Sequence, residues 1–128
     1  MYLKSAERVL QFVRQRVGTS LYAVSAYDME SSSICYQRDD IDRSFSDEQV
    51  EEFFELVRTI HRSLYETERF NEVVGEPRTN LTYYDGLHVL LVPIDERNGI
   101  TVAVPKESGN QFSEFADECL RLARAQAD

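Results

Sequence analysis

Asn80-Leu81-Thr82-Tyr83-Tyr84-Asp85-Gly86-Leu87-His88-Val89-Leu90-Leu91-Val92-Pro93 is a pair of β-rich runs separated by two residues. Asp85-Gly86 suits a two-residue hairpin turn, which predicts strands over Asn80–Tyr84 and Leu87–Pro93. The turn sets the register: Tyr84 opposite Leu87, Tyr83 opposite His88, Leu81 opposite Leu90. Leu81, Tyr83, His88, Leu90 and Val92 then share one face, and Thr82, Tyr84, Leu87, Val89 and Leu91 the other. Both faces are largely apolar. Such a hairpin must be covered on both sides, by helices or by a partner subunit.

Downstream, Asp95–Gly99 reads as a second turn with Asn98-Gly99 as its hairpin dipeptide, followed by Ile100–Val104 as a strand stopped by Pro105. Phe112, Phe115, Ala116, Cys119, Leu122 and Ala123 form the stripe of a terminal helix. Upstream, Glu72–Arg78, with Gly75 and Pro77, reads as connection. Ser46 and Gln49 have capping-box spacing, with Phe45 and Val50 placed for a hydrophobic staple. Val50, Phe53, Phe54, Val57, Ile60 and Leu64 then give one apolar face of a helix running to about Glu68. Leu21–Tyr27 and Ser32–Arg38 read as strands around the turn Asp28-Met29-Glu30-Ser31, with Asp39, Asp40 and Asp42 as a solvated loop. Tyr2–Val17 carries Leu3, Ala6, Val9, Leu10, Val13 and Val17 at helical spacing, and Gly18 supplies the stop. The order is α-β-β-α-β-β-β-α, a mixed α/β (α+β) domain occupying residues 1–128 as one unit.

The 128 residues carry 23 Asp and Glu against 14 Lys and Arg, a formal charge of −9, with 42% hydrophobic residues. That composition is globular. Arg outnumbers Lys 12 to 2. Carboxylates keep a surface hydrated and self-repelling where salt screens charge over a few ångströms, so the composition suggests a cytoplasm of high salt. No clustered basic stripe exists to neutralise phosphates, which argues against nucleic acid. Charged residues interrupt every apolar run, which argues against a membrane span, and the start of the chain lacks a signal peptide's apolar segment. A cytoplasmic protein with Cys35 and Cys119 as free thiols is expected.

The chemistry-bearing residues are few. His61, His88, Cys35 and Cys119 have no zinc-motif spacing, so no metal is expected. The glycines occur singly, at 18, 75, 86, 99 and 109, and none opens a phosphate-binding loop before a helix. No nucleophile elbow appears, and Cys35 falls within a strand rather than at a helix start that would lower its pKa. No catalytic residue and no cofactor follow from these patterns.

The element order resembles the roadblock-type dynein light chain fold and, more loosely, profilin-like and longin-like domains, in which a five-stranded antiparallel sheet carries helices on both faces. Tyr27-Asp28, Tyr36-Gln37-Arg38-Asp39-Asp40 and Phe45-Ser46-Asp47-Glu48 also look like small acidic proteins of salt-loving archaea, which have no settled activity. The roadblock resemblance implies a homodimer built through the middle helix and a neighbouring strand, with an adaptor-like role; a small GTPase as partner is implied by fold analogy alone. Phe54, Arg58, His61, Leu87 and Val89 are the interface residues expected on that reading. A rival reading is a PAS- or GAF-like small-molecule sensor, with Tyr36, Tyr83 and His88 facing a cavity. An enzyme without a recognisable motif is the third.

Overall fold

The computed structural model describes residues 1–106 and 112–125. Its elements are α1 (Leu3–Val17), β1 (Ala23–Tyr27), β2 (Ser32–Gln37), α2 (Asp39–Asp42), α3 (Asp47–Glu66), α4 (Glu68–Val74), β3 (Asn80–Tyr83), β4 (His88–Pro93), β5 (Gly99–Val104) and α5 (Phe112–Arg124). The strands form one antiparallel sheet in the order β2-β1-β5-β4-β3. The β3–β4 hairpin has the register its turn dictates, with Tyr83 opposite His88, Leu81 opposite Leu90, and the Tyr84 N–H donating to the Leu87 carbonyl at 2.9 Å.

The apolar stripe of α1 buries Ala6, Val9 and Val13, and Gly18 ends the helix at φ +60° with its N–H on the Arg14 carbonyl. α5 lies beside α1, with Phe12 and Phe115 rings 5.8 Å apart and Arg8 donating to the Leu122 carbonyl. Both helices cover one face of the sheet, meeting Val24, Ala26, Leu90, Val92, Ile100, Val102 and Val104 in one core. Cys119 belongs to that core, as its place in the stripe predicts, whereas the side chain of Phe112 and all of Gly109 lie outside the described residues.

β4 is buried along its whole length, which is why both its faces are apolar. Its second face, with Tyr27 of β1, meets α3 through Phe54, Val57 and Leu91. The capping box at the start of α3 forms: Gln49 N–H donates to Ser46 Oγ at 3.2 Å, and Ser46 N–H to Gln49 Oε1 at 2.9 Å.

Three local expectations need correction. Asp39–Asp42 is a helical turn rather than a loop, because Arg38 grips the Asp40 carboxylate through Nε and Nη2 and Ser44 Oγ donates to the Asp40 carbonyl. The middle helix stops at Glu66; Thr67 leaves helical geometry, and the chain re-enters helix as α4 where only connection was expected. Asn71 Nδ2 and Thr67 Oγ1 both donate to the Leu64 carbonyl, satisfying the frayed end of α3. Gly99 is not a turn centre but the first residue of β5, opposite both Tyr27 and Pro93. The Tyr27 ring crosses it, and any Cβ at that position would collide with the tyrosine hydroxyl.

Candidate interaction surface

α3 is fastened at its C-terminal half. The fully buried His61 places Nε2 2.9 Å from the Asp95 carbonyl and Nδ1 2.6 Å from the Tyr27 hydroxyl. A carbonyl only accepts, so Nε2 carries the proton and donates, while Nδ1 accepts from Tyr27. Burial disfavours the imidazolium and pushes the His61 pKa down; burial likewise pushes the Tyr27 phenol up. Asp95 also shapes the β4–β5 turn. Partial burial pushes its carboxyl up, but hydrogen bonds from the Arg97 and Asn98 N–H groups, the Asn98 amide and the Tyr2 hydroxyl hold it below the usual carboxylate range. On the opposite flank of α3, Arg58 Nε donates to the Asp28 carbonyl at 2.8 Å.

The N-terminal half of α3 stands clear of the sheet. Beneath it the strands present Ala23 paired with Ala103, and Ser25 paired with Thr101. These side chains are too short to bridge the ~10 Å separation of packed layers. The result is an open groove of about 870 Å³. Its floor is Ala23, Ser25, Thr101, Ala103 and Val89; Val50, Phe53 and Phe54 wall it above, and Ile34, Ile41 and Phe45 flank it on the β2 side.

The two sheet edges differ. β2 is bulged at Cys35, where the register shifts between Val24 and Ser25, and a bulge discourages further pairing. β3 runs against β4 without a bulge, and among the described residues no strand lies on its outer side. Next to it, Phe53, Leu56 and Ile60 of α3 meet Asn80, Thr82 and Tyr84 across a narrow crevice. Of the ten large apolar side chains exposed among the described residues, six lie between positions 56 and 84: Leu56, Phe70, Val73, Val74, Tyr83 and Tyr84.

The residues singled out from sequence divide accordingly. Phe54, Leu87 and Val89 line the groove. His61 is buried as the internal fastening of α3, and the half-buried Arg58 donates to the β1–β2 hairpin. The structure does not bring together Tyr36, Tyr83 and His88: Tyr36 lies on one edge strand beneath the Arg14 guanidinium, at 4.4 Å, while Tyr83 and His88 stack edge-to-face at the other edge, 4.3 Å apart. Among the described residues the three do not share a cavity, and none of them lines the groove. Leu56 and the small residues of the floor went unnoticed in the sequence. Their signal was available in the alternation of β1 and β5, where every position facing α3 before Tyr27 is Ala, Ser or Thr.

Among the described residues no three His, Cys, Asp or Glu side chains converge as metal ligands, and no helix is long and apolar enough to cross a membrane. Cys119 is fully buried, its thiol pushed up to about 12 by burial, which makes it inert.

The family model for DUF7522, a domain of unknown function, matches residues 7–124, and the chain belongs to that family. No curated protein matches the sequence. Among solved structures, an MglB with a tetrameric arrangement is 12% identical over 95% of this chain and 89% of its own, with a TM-score of 0.50. MglC from Myxococcus xanthus is 12% identical over 94% of this chain and 93% of its own, with a TM-score of 0.49. The gliding protein MglB from Thermus thermophilus is 11% identical over 94% of this chain and 89% of its own, with a TM-score of 0.45. At these identities the likeness is one of fold: the sheet and its helices form a roadblock-like domain.

Proposed function

We propose that this member of the DUF7522 family is a non-catalytic, cytoplasmic protein-interaction domain that works as a homodimer through the β3 edge and the adjoining side of α3. The observation that carries the reading is the unbulged β3 edge lying beside exposed Leu56. An exposed, regular edge strand is a pairing template that proteins ordinarily blunt with bulges, prolines or inward charges. β3, Asn80-Leu81-Thr82-Tyr83, has none of these. The neighbouring stripe of α3, Gln49, Phe53, Leu56, Ile60 and Ser63, is uncharged, in a helix whose other outward positions include Glu48, Glu51, Glu55, Arg58 and Arg62. A two-fold pairing of β3 with its copy would bring these stripes towards each other, an isologous contact of the commonest kind. The acidic surface suits such an assembly to high salt, where the repulsion between two chains of charge −9 is screened.

Light scattering behind gel filtration tests this, in molar KCl and in dilute buffer. A dimer is expected in high salt, weakening as salt is withdrawn. Leu56→Glu changes a side chain that is 44% exposed, so the fold should persist by circular dichroism while the dimer is lost. A wild-type chain that is monomeric at both salt concentrations, or a Leu56→Glu protein of unchanged dimeric mass, sinks the proposal.

A further inference from the structure

The groove beneath the first half of α3 has features that the β3 edge does not share, and they point to a different occupant. Its floor belongs to β1, β5 and β4, each already paired on both sides within the sheet. An extended segment laid there would find no backbone partners and would bury unsatisfied peptide groups. A helix satisfies its own backbone and presents only side chains, which is what a floor of Ala23, Ser25, Thr101 and Ala103 between apolar walls can accept. The groove is open to solvent, which suits an elongated element rather than a small molecule sealed inside.

Charge narrows the choice. Glu52 and Glu55 line the groove, and among the described residues no Lys, Arg or His does. The elements around its mouth add Asp39, Asp40 and Asp42 on α2, Asp47, Glu48 and Glu51 at the start of α3, and Asp85 at the β3–β4 turn, all exposed. Against these stand Arg38, which is held by Asp40, and Arg43. A second copy of this chain would bring the same carboxylates against themselves, and an anionic lipid surface would be repelled likewise. We infer that this groove is a docking site for an amphipathic helix with basic flanks, contributed by another protein. Its apolar face enters between α3 and the small-residue floor, and its Lys or Arg residues meet the carboxylates of the mouth. This goes beyond self-association: the two surfaces adjoin and share Gln49, Phe53, Leu56 and Tyr84 at the rim, but the floor of Ala23, Ser25, Thr101 and Ala103 lies on inner strands and not on the β3 edge.

The test uses the whole chain and a fluorescein-labelled 14-residue Leu/Lys peptide of amphipathic helical pattern, with anisotropy read in 0.15 M KCl. A second peptide has the same composition in scrambled order. Saturable binding of the patterned peptide is expected, at least tenfold tighter than the scrambled one. Ala103→Phe, which fills the floor, should weaken it at least tenfold while the circular dichroism spectrum is unchanged. Glu52→Gln with Glu55→Gln should weaken binding several-fold and flatten its salt dependence. Absence of binding, equal affinity for both peptides, or undiminished binding to folded Ala103→Phe overturns the inference, the last two by showing that charge alone attracts the peptide. Loss of self-association rather than of peptide binding in Ala103→Phe also overturns it, by placing a second copy in the groove. The mass of the wild-type chain without peptide judges the dimer independently; a monomer that binds the patterned peptide sinks the dimer and upholds the groove.

Discussion

Towards α1 and α5, the inner strands offer Val24, Ala26, Leu90, Val92, Ile100, Val102 and Val104, all at most 1% exposed. Towards α3, β1 and β5 offer Ala23, Ser25, Thr101 and Ala103 before reaching Tyr27 and Gly99. The first set fills the space between layers and fixes two helices against the sheet. The second leaves α3 held at one end, by His61, and lifted at the other. The same alternation that builds a core on one side therefore builds a receptive surface on the other. Stability and binding are assigned to opposite faces of one sheet, separated by a single residue step along each strand.

The largest effect that would break this contrast is truncation on the packed side. Leu90→Ala removes a fully buried side chain and should destabilise the protein by about 2–5 kcal/mol in urea denaturation. Leu87→Ala, three residues earlier on the groove lip and partly exposed, should lose no more than about 1 kcal/mol. Similar losses at both positions would mean that the groove is closed in solution and that the two faces are packed alike.

Next in size is the fastening of α3. Tyr27→Phe keeps the ring over Gly99 but leaves buried His61 Nδ1 without its donor, a loss of about 1–3 kcal/mol. Native-state hydrogen exchange should show the added opening in α3 more than in α1 or α5. If α1 and α5 open equally, α3 is not the independently held layer that the packing describes.

His61 also gives this face a pH signature. Its folded pKa lies below the ordinary 6.5, because burial disfavours the charged ring, with Arg62 acting in the same direction and the Asp95 carbonyl opposing. The unfolded chain therefore binds the proton first as pH falls. The stability held by neutral His61 is complete above 6.5 and declines below it, down to the depressed folded value. The carboxylates of Asp28 and Asp95 are themselves held below 3.8, so their contributions are lost only in stronger acid. Urea midpoints should fall between about pH 7 and 5 in the wild type, and His61→Gln should remove the fall within that window. A midpoint that is flat over that range in the wild type contradicts the buried, neutral imidazole.

The packed face was the legible one. Periodicity in α1 and α5, the capping box at Ser46 and Gln49, and the Asp85-Gly86 turn are local signals, and local signals place elements and set registers. The β3–β4 pairing follows residue for residue. His61 shows where legibility ends: its position beside the apolar stripe of α3 is compatible with an outward contact or an inward hydrogen bond, and only the approach of Tyr27 and Asp95, 34 positions away on either side, decides. Tyr36, Tyr83 and His88 share the character of aromatics near turns, yet strand order puts them at opposite edges, and strand order is not written in any one strand. Gly99 carried a turn signal that was real for Asn98, whose N–H caps onto Asp95, but its own constraint comes from Tyr27. The groove escaped the sequence because it is made of what is lacking: small residues on one face of two strands that meet only in the folded sheet.

The smallest expected effect sharpens the comparison most, because it applies one substitution to both faces. Ala26 and Ala103 lie on adjacent, paired strands, β1 and β5, the first on the packed face and the second on the groove floor. Ala26→Val adds two methyl groups to a side chain with no exposed surface and should destabilise by about 1–3 kcal/mol through overpacking. Ala103→Val adds the same groups into open space on a strand, where β-branching is favoured, and should change stability by no more than about 0.5 kcal/mol in either direction. Thermal unfolding of the two variants under one buffer condition reads the difference directly. A loss at Ala103 matching that at Ala26 would mean that α3 rests on the sheet along its whole length, and the receptive face would then have no room to receive anything.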